Sequence, residues 1–131
     1  MEDAPQSVLA IDDSEETLLL LRVVLERAGF LVEAASSTQE ATGKLRSRSY
    51  TVILLDLKMP HNGATFIDHV RSSFPSVLSK IVVLTASDPR SISEGVRRQV
   101  CGVLQKPFEI DQLVGVIKEC AANSNINSYA G

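Results

Sequence analysis

Three short runs of almost unbroken apolar residues limit what this chain can fold into: Val-Leu-Ala-Ile at 8–11, Val-Ile-Leu-Leu at 52–55 and Ile-Val-Val-Leu at 81–84. Apolar runs without alternation are the mark of strands covered on both faces, because successive side chains point to opposite sides and both sides are dry. Two further runs, Leu-Val-Glu-Ala at 31–34 and Gly-Val-Leu-Gln at 102–105, carry polar positions and suit the edges of the sheet. The coarse expectation is five strands, three of them central.

Helical stretches lie between these runs. Ser14 can cap a helix with Glu15 and Glu16 in its first turn and Leu18, Leu21 and Leu25 on its apolar stripe, ending before Gly29. Ser37 and Glu40 have capping-box spacing ahead of Ala41 and Leu45. A third helix buries Ile67, Val70 and Phe74 and stops before Pro75. Asp88 and Pro89 read as cap and first turn of a fourth helix using Ile92 and Val96, weakened by Gly95. The last helix starts near Glu109, with Ile110, Leu113, Ile117 and Ala121 on one stripe. A strict β-α repeat with short connections implies a parallel sheet, since each return to the same direction needs a crossover packed on a face.

With 131 residues the chain suits one compact domain over 1–122, followed from Asn123 by a polar tail or the start of a linker. A core of that size needs neither disulfide nor structural metal. Cys101 and Cys120, 19 residues apart, are therefore read as small buried apolar side chains in a reducing compartment. Thirteen basic and sixteen acidic residues give a net charge of −3, and the basic ones are dispersed, which argues against direct nucleic-acid binding. No apolar run approaches a bilayer span and the N-terminus is not signal-like, so a soluble cytoplasmic protein is expected.

Parallel strands bring their C-terminal ends to one edge, where such folds bind ligands. The first strand delivers Asp12 and Asp13 there, the third Asp56, the fourth Thr85 and the fifth Lys106 followed by Pro107. Singly, Asp12, Thr85 and Lys106 have ordinary explanations as cap, strand end and turn. Asp56 is harder to explain away, because it ends a buried strand with a charge that needs a partner. Clustered carboxylates repel unless a cation lies among them, and a donor set made only of oxygens favours a hard ion such as Mg2+. Lys106 and the ion would supply positive charge to a phosphoryl group, Thr85 a hydrogen bond, and Asp56 the nucleophile of an acyl phosphate.

The ordered set Val-Leu-Ala-Ile-Asp12-Asp13-Ser, Val-Ile-Leu-Leu-Asp56-Leu-Lys-Met-Pro60, Val-Val-Leu-Thr85-Ala and Leu-Gln-Lys106-Pro107-Phe resembles response-regulator receiver domains from about Ser7 to Ala121. The resemblance implies a flavodoxin-like (βα)5 three-layer sandwich with strand order 2-1-3-4-5. It implies that Asp56 takes phosphate from a phosphohistidine on a histidine kinase or phosphotransfer protein, and that the domain switches a surface for a downstream effector. It further implies direct Mg2+ ligation by Asp13 and Asp56, ligation through water by Asp12, a share from the Lys58 backbone carbonyl, and a cis Lys106-Pro107 bond. Such a domain is a signalling switch, promoting only its own phosphorylation and dephosphorylation, and there is room for a homodimer through the fourth and fifth helices on phosphorylation.

Two positions depart from the family pattern. Val103 stands where receivers usually carry Tyr or Phe, so a signal would leave through the loop after Thr85 and the helix that follows. The loop after Asp56, Met59-Pro60-His61-Asn62-Gly63, is one residue short of the usual spacing. Both departures favour the alternative, a receiver-shaped interaction module that works without phosphorylation; the complete acidic set favours the phosphoacceptor.

Overall fold

In a computed structural model the described residues are 6–57, 63–86, 88, 90 and 92–130. Five parallel strands form one sheet: β1 (Ser7–Ile11), β2 (Leu31–Ala35), β3 (Val52–Asp56), β4 (Ile81–Thr85) and β5 (Gly102–Gln105). Their spatial order is β2-β1-β3-β4-β5, the flavodoxin-like order that the resemblance implies. The helices α1 (Glu15–Arg27), α2 (Thr38–Ser47), α3 (Gly63–Ser73), α4 (Glu94–Gln99) and α5 (Ile110–Ala130) connect and cover the strands.

The apolar runs do what their lack of alternation requires. Val8, Ala10, Val52, Leu54, Val82 and Leu84 face one side, where Leu21 and Leu25 of α1 and Leu113 and Ile117 of α5 cover them. Leu9, Ile11, Ile53, Leu55, Ile81 and Val83 face the other, under Ala41 and Leu45 of α2 and Phe66, Ile67 and Val70 of α3. β3 and β4 are buried along their whole length, whereas in β5 only Leu104 is buried. The two layers hold the central strands rigidly and the β5 edge far less so.

The caps at α1 and α2 form as the sequence predicts. Ser14 Oγ accepts from the Thr17 N–H at 3.2 Å and Ser37 Oγ from the Glu40 N–H at 3.0 Å. Glu40 reaches back to the Ser36 N–H at 2.8 Å, one residue earlier than in the usual box. Gly29, at φ +101°, ends α1: its N–H donates to Glu26 O and the Phe30 N–H to Leu25 O, both at 3.0 Å, a paired closure that needs a left-handed residue there.

Elsewhere the structure corrects the sequence reading. α4 begins at Glu94, capped by Ser93, whose hydroxyl accepts from the Val96 N–H at 3.2 Å; the Asp88 carboxylate instead accepts from the Arg90 N–H at 2.9 Å. Both residues can cap, and Ser93 stands directly before the one turn that Val96 and Val100 hold against the body. Pro75 opens a 3-10 turn, Pro75–Lys80, that buries Leu78, and Phe74 ahead of it is only half-buried. Ile110 is 54% exposed, because the first turn of α5 leads away from the sheet before Leu113 meets it. The backbone of α5 runs from Ile110 to Ala130.

The cysteines also differ from expectation. Cys101 and Cys120 form a disulfide with Cα atoms 6.1 Å apart, and no cysteine among the described residues is free. The pairing arises because α5 packs on β5: a Cβ on Gly102 would be in ordinary contact with the Val116 side chain at 3.5 Å, and Cys120 follows one helical turn later. With both cysteines paired, they give no ground for placing the chain in a reducing compartment.

Candidate functional site

The site stands at the C-terminal ends of β1, β3, β4 and β5. Asp12 and Asp13 follow β1 directly, Asp56 and Thr85 are the last residues of β3 and β4, and Lys106 follows β5. The parallel registers, which pair Asp56 with Leu84 and Thr85 with Gln105, bring these strand ends level. Backbone bonds hold them there, from Asp12 N to Ala35 O at 3.1 Å, Leu57 N to Leu84 O at 2.9 Å and Lys106 N to Thr85 O at 2.7 Å. The Lys106–Pro107 peptide bond is cis, as the resemblance implies.

One carboxylate oxygen from each of Asp12, Asp13 and Asp56 lies within 4.8 Å of the other two. Asp12 and Asp56 are 1% and 2% exposed, while Asp13 opens to solvent. Lys106 Nζ lies 3.2 Å from Asp56 Oδ2 and 3.8 Å from Asp12 Oδ2. Asp12 Oδ1 accepts from the Ser14 N–H at 2.9 Å, but Oδ2, fully buried, accepts no hydrogen bond among the described residues. Burial, reinforced by the neighbouring Asp56 charge, pushes the Asp12 carboxyl up to about 6; the Ser14 N–H and Lys106 oppose that rise without cancelling it.

These residues fit a small hard dication. The donor set is all oxygen, two members are buried, and one buried oxygen lacks a donor among the described residues. A single ammonium cannot neutralise three carboxylates. Asp12, Asp13, Asp56 and Lys106 are thus brought together, with the buried Thr85 ending the adjacent strand. Lys58, whose carbonyl the resemblance places among the ligands, lies outside the described residues, as do Met59, Pro60, His61 and Asn62 of the shortened loop and Pro89 of the expected fourth helix.

The sequence reading missed a link on the neighbouring face. Arg71 of α3 donates from Nε and Nη2 to Gln99 Oε1 of α4, at 3.2 and 2.8 Å, and its Nη1 pairs with Asp68 at 2.6 Å. Nothing in spacing could reveal a contact 28 residues apart in the chain. Val103, half-buried, packs with Ile92 and Val96 against the cluster beneath α4.

Comparison with known proteins gives a consistent answer. The family model of the response regulator receiver domain matches residues 8–118. The transcriptional regulatory protein ResD of Bacillus subtilis is 29% identical over 123 residues, covering 93% of this chain and 50% of its own length. A response regulator from Thermotoga maritima superposes with a TM-score of 0.78 at 28% identity, over 91% of this chain and 99% of that one. The response regulator TrrA from the same organism, crystallised with Mg2+ and BeF, gives 0.75 at 26% identity over 88% and 98%. The chain spans half or less of the length of the curated relatives it matches.

Proposed function

The chain belongs to the response regulator receiver domain family, and from that premise we propose that Asp56 is its phosphoacceptor, working with Mg2+ held by Asp12, Asp13 and Asp56. One observation carries the proposal: three carboxylates within 4.8 Å of one another, one with a buried oxygen lacking a donor, beside an ammonium 3.2 Å from Asp56. When bound, the ion supplies the positive charge that lets a phosphoryl group approach three acids.

The chain's own residues do the rest. A carboxylate oxygen of Asp56 attacks phosphorus, the P–O bond of an acyl phosphate forms, and the P–N bond to the donor histidine breaks with its electron pair returning to the ring nitrogen. Lys106, already beside Asp56, holds its positive charge against the phosphoryl oxygens. Thr85, at the end of the adjacent strand, donates its hydroxyl to one of them. The buried strands β3 and β4 fix these groups, so little reorganisation accompanies the transfer.

Modification of Asp56 then shifts the equilibrium of the segment after Thr85 and of α4, changing the surface offered to an effector protein. A histidine kinase or phosphotransfer protein is the donor, the receiver domain extends to residue 122, and the domain works in the cytoplasm without touching nucleic acid. The test is incubation of wild type and Asp56→Ala with acetyl phosphate and Mg2+, read by intact mass. Wild type gains one phosphoryl group and the variant none. Equal gain in both defeats the assignment, and no gain in either favours the phosphorylation-independent interaction module, for which Val103 in place of an aromatic ring speaks.

A further inference from the structure

The element through which the site would signal is poorly anchored and yet covalently fastened at one end. None of the six residues of α4 is buried. It is held by the packing of Val96, by Arg71 on Gln99, and by Val100 just beyond its end, which is 7% exposed. Directly after Val100 comes Cys101, whose N–H donates to Ile81 O at 2.8 Å and whose sulfur is bonded to Cys120 of α5. The bond therefore ties the junction of α4 and β5, the least buried strand–helix pair described, to a helix rooted in the core through Leu113, Ile117 and Ala121.

The two cysteines are unequally exposed, although both pack against the same cluster. Cys120 is 6% exposed and packs with the α5 core residues, whereas Cys101 is half-buried at the sheet edge. A domain of this size does not need a disulfide to fold, and a bond with one member in a half-buried residue at the sheet edge is open to exchange.

We propose that Cys101 and Cys120 are a reversible thiol–disulfide pair whose oxidation state sets how firmly the α4–β5 junction is fastened to α5, and so how far the response to phosphorylation at Asp56 spreads; the second half rests on the phosphoacceptor reading above. In the reductive direction a thiolate of a dithiol reductant attacks Cys101 Sγ, and Cys120 leaves as a thiolate that takes up a proton. The reductant's second thiolate then attacks its own sulfur in the mixed disulfide, and Cys101 leaves and is protonated. The S–S bond of the protein breaks, one forms in the reductant, and two electrons and two protons pass to the protein. A low-molecular-weight disulfide such as oxidised glutathione reverses the sequence.

The experiment uses the full chain in two states, oxidised with glutathione disulfide and reduced with dithiothreitol, verified by alkylation and mass. Amide hydrogen exchange is read over residues 94–105 and 113–121, with and without Mg2+ and beryllofluoride. Reduction of the folded protein should accelerate exchange at 94–105 tenfold or more and leave β1 and β3 unchanged. The Cys101→Ser/Cys120→Ser variant should match the reduced form and ignore dithiothreitol. Identical exchange in both states overturns the proposal, as does a bond that dithiothreitol breaks only in urea. If reduction loosens the junction but beryllofluoride has no effect in either state, the fastening stands and the link to Asp56 falls with the phosphoacceptor reading. If beryllofluoride acts equally in both states, the phosphoacceptor reading stands and the redox control is refuted.

Discussion

Replacing Asp12 by Asn should make the metal-free domain more stable while removing its response to Mg2+. In the fold the Asp12 carboxyl is pushed up from 3.8 to about 6, chiefly by burial. That difference corresponds to roughly 3 kcal/mol against the ionised form. That penalty is already net of the attraction of Lys106, so an amide of the same shape, which keeps the acceptor for the Ser14 N–H, adds only a buried NH2 group to place, at a cost of about 1 kcal/mol or more. A net gain of about 1–2 kcal/mol remains, or roughly 3–10 °C in Tm for a chain of this length.

The pH dependence is the sharper criterion. An acid whose pKa is higher in the folded state carries no penalty below its unfolded value near 3.8, where it is protonated in both states. The penalty grows as pH rises from there towards about 6 and is complete above it. Urea or thermal melts in EDTA should therefore show Asp12→Asn pulling ahead of wild type between about pH 4 and 6, with a constant lead above. Millimolar Mg2+ should narrow or reverse that lead, because binding to the folded state alone stabilises wild type by RT ln(1 + [Mg]/Kd). A variant less stable than wild type at every pH, or a lead that does not vary with pH, would refute the reasoning.

Other substitutions probe the scaffold. Tyr50→Phe removes the hydroxyl that donates to Glu33 Oε1 at 2.8 Å and should lower stability at pH 7 by about 1 kcal/mol in urea melts. Tyr50 and the cations Arg48 and Lys44 hold the Glu33 carboxyl below its usual range, so this contribution is present above that range and lost as pH falls through the folded pKa. The deficit of the Phe variant should accordingly shrink in acid. Ile117→Ala should cost about 3 kcal/mol or more, and Ile110→Ala, at the exposed first residue of α5, under about 0.5. Ser93→Ala should cost about 1 kcal/mol locally and speed amide exchange in α4, while Asp88→Ala leaves that helix unchanged; the reverse pattern would restore Asp88 as the cap.

Much of the scaffold was legible because its signals are local. A strand buried on both faces has no polar position to spare, so residues 8–11, 52–55 and 81–84 declare themselves, and the acid that ends each of the first two runs declares the site. Caps at Ser14 and Ser37 are legible for the same reason, being satisfied within three residues. What stayed hidden depends on contacts between distant segments. Periodicity places Ile110 with Leu113 and Ile117, but only the angle at which α5 meets the sheet decides that its first turn is outside. Two competent caps precede α4, and the choice falls to the one whose first turn meets the body. The disulfide needs α5 to run over β5, beside Gly102, and that approach depends on how the last helix docks rather than on any local spacing.

The distribution of burial also bears on where a change of charge at Asp56 must act. β3 and β4 are buried throughout, and displacing them would open apolar surface at about 25 cal/mol per Å2 on both faces of the sheet. Lys106, 3.2 Å from Asp56, follows β5, in which only Leu104 is buried and whose described pairing is to β4 alone. Repositioning the ammonium therefore displaces little apolar surface. A phosphoryl group on Asp56 would therefore meet less apolar resistance at this edge than in β3 and β4. Beyond Cys101 that edge continues backwards into α4, which buries nothing of its own, so motion begun at Lys106 meets its first firm resistance at Val100, at the Arg71–Gln99 link and at the bond to α5.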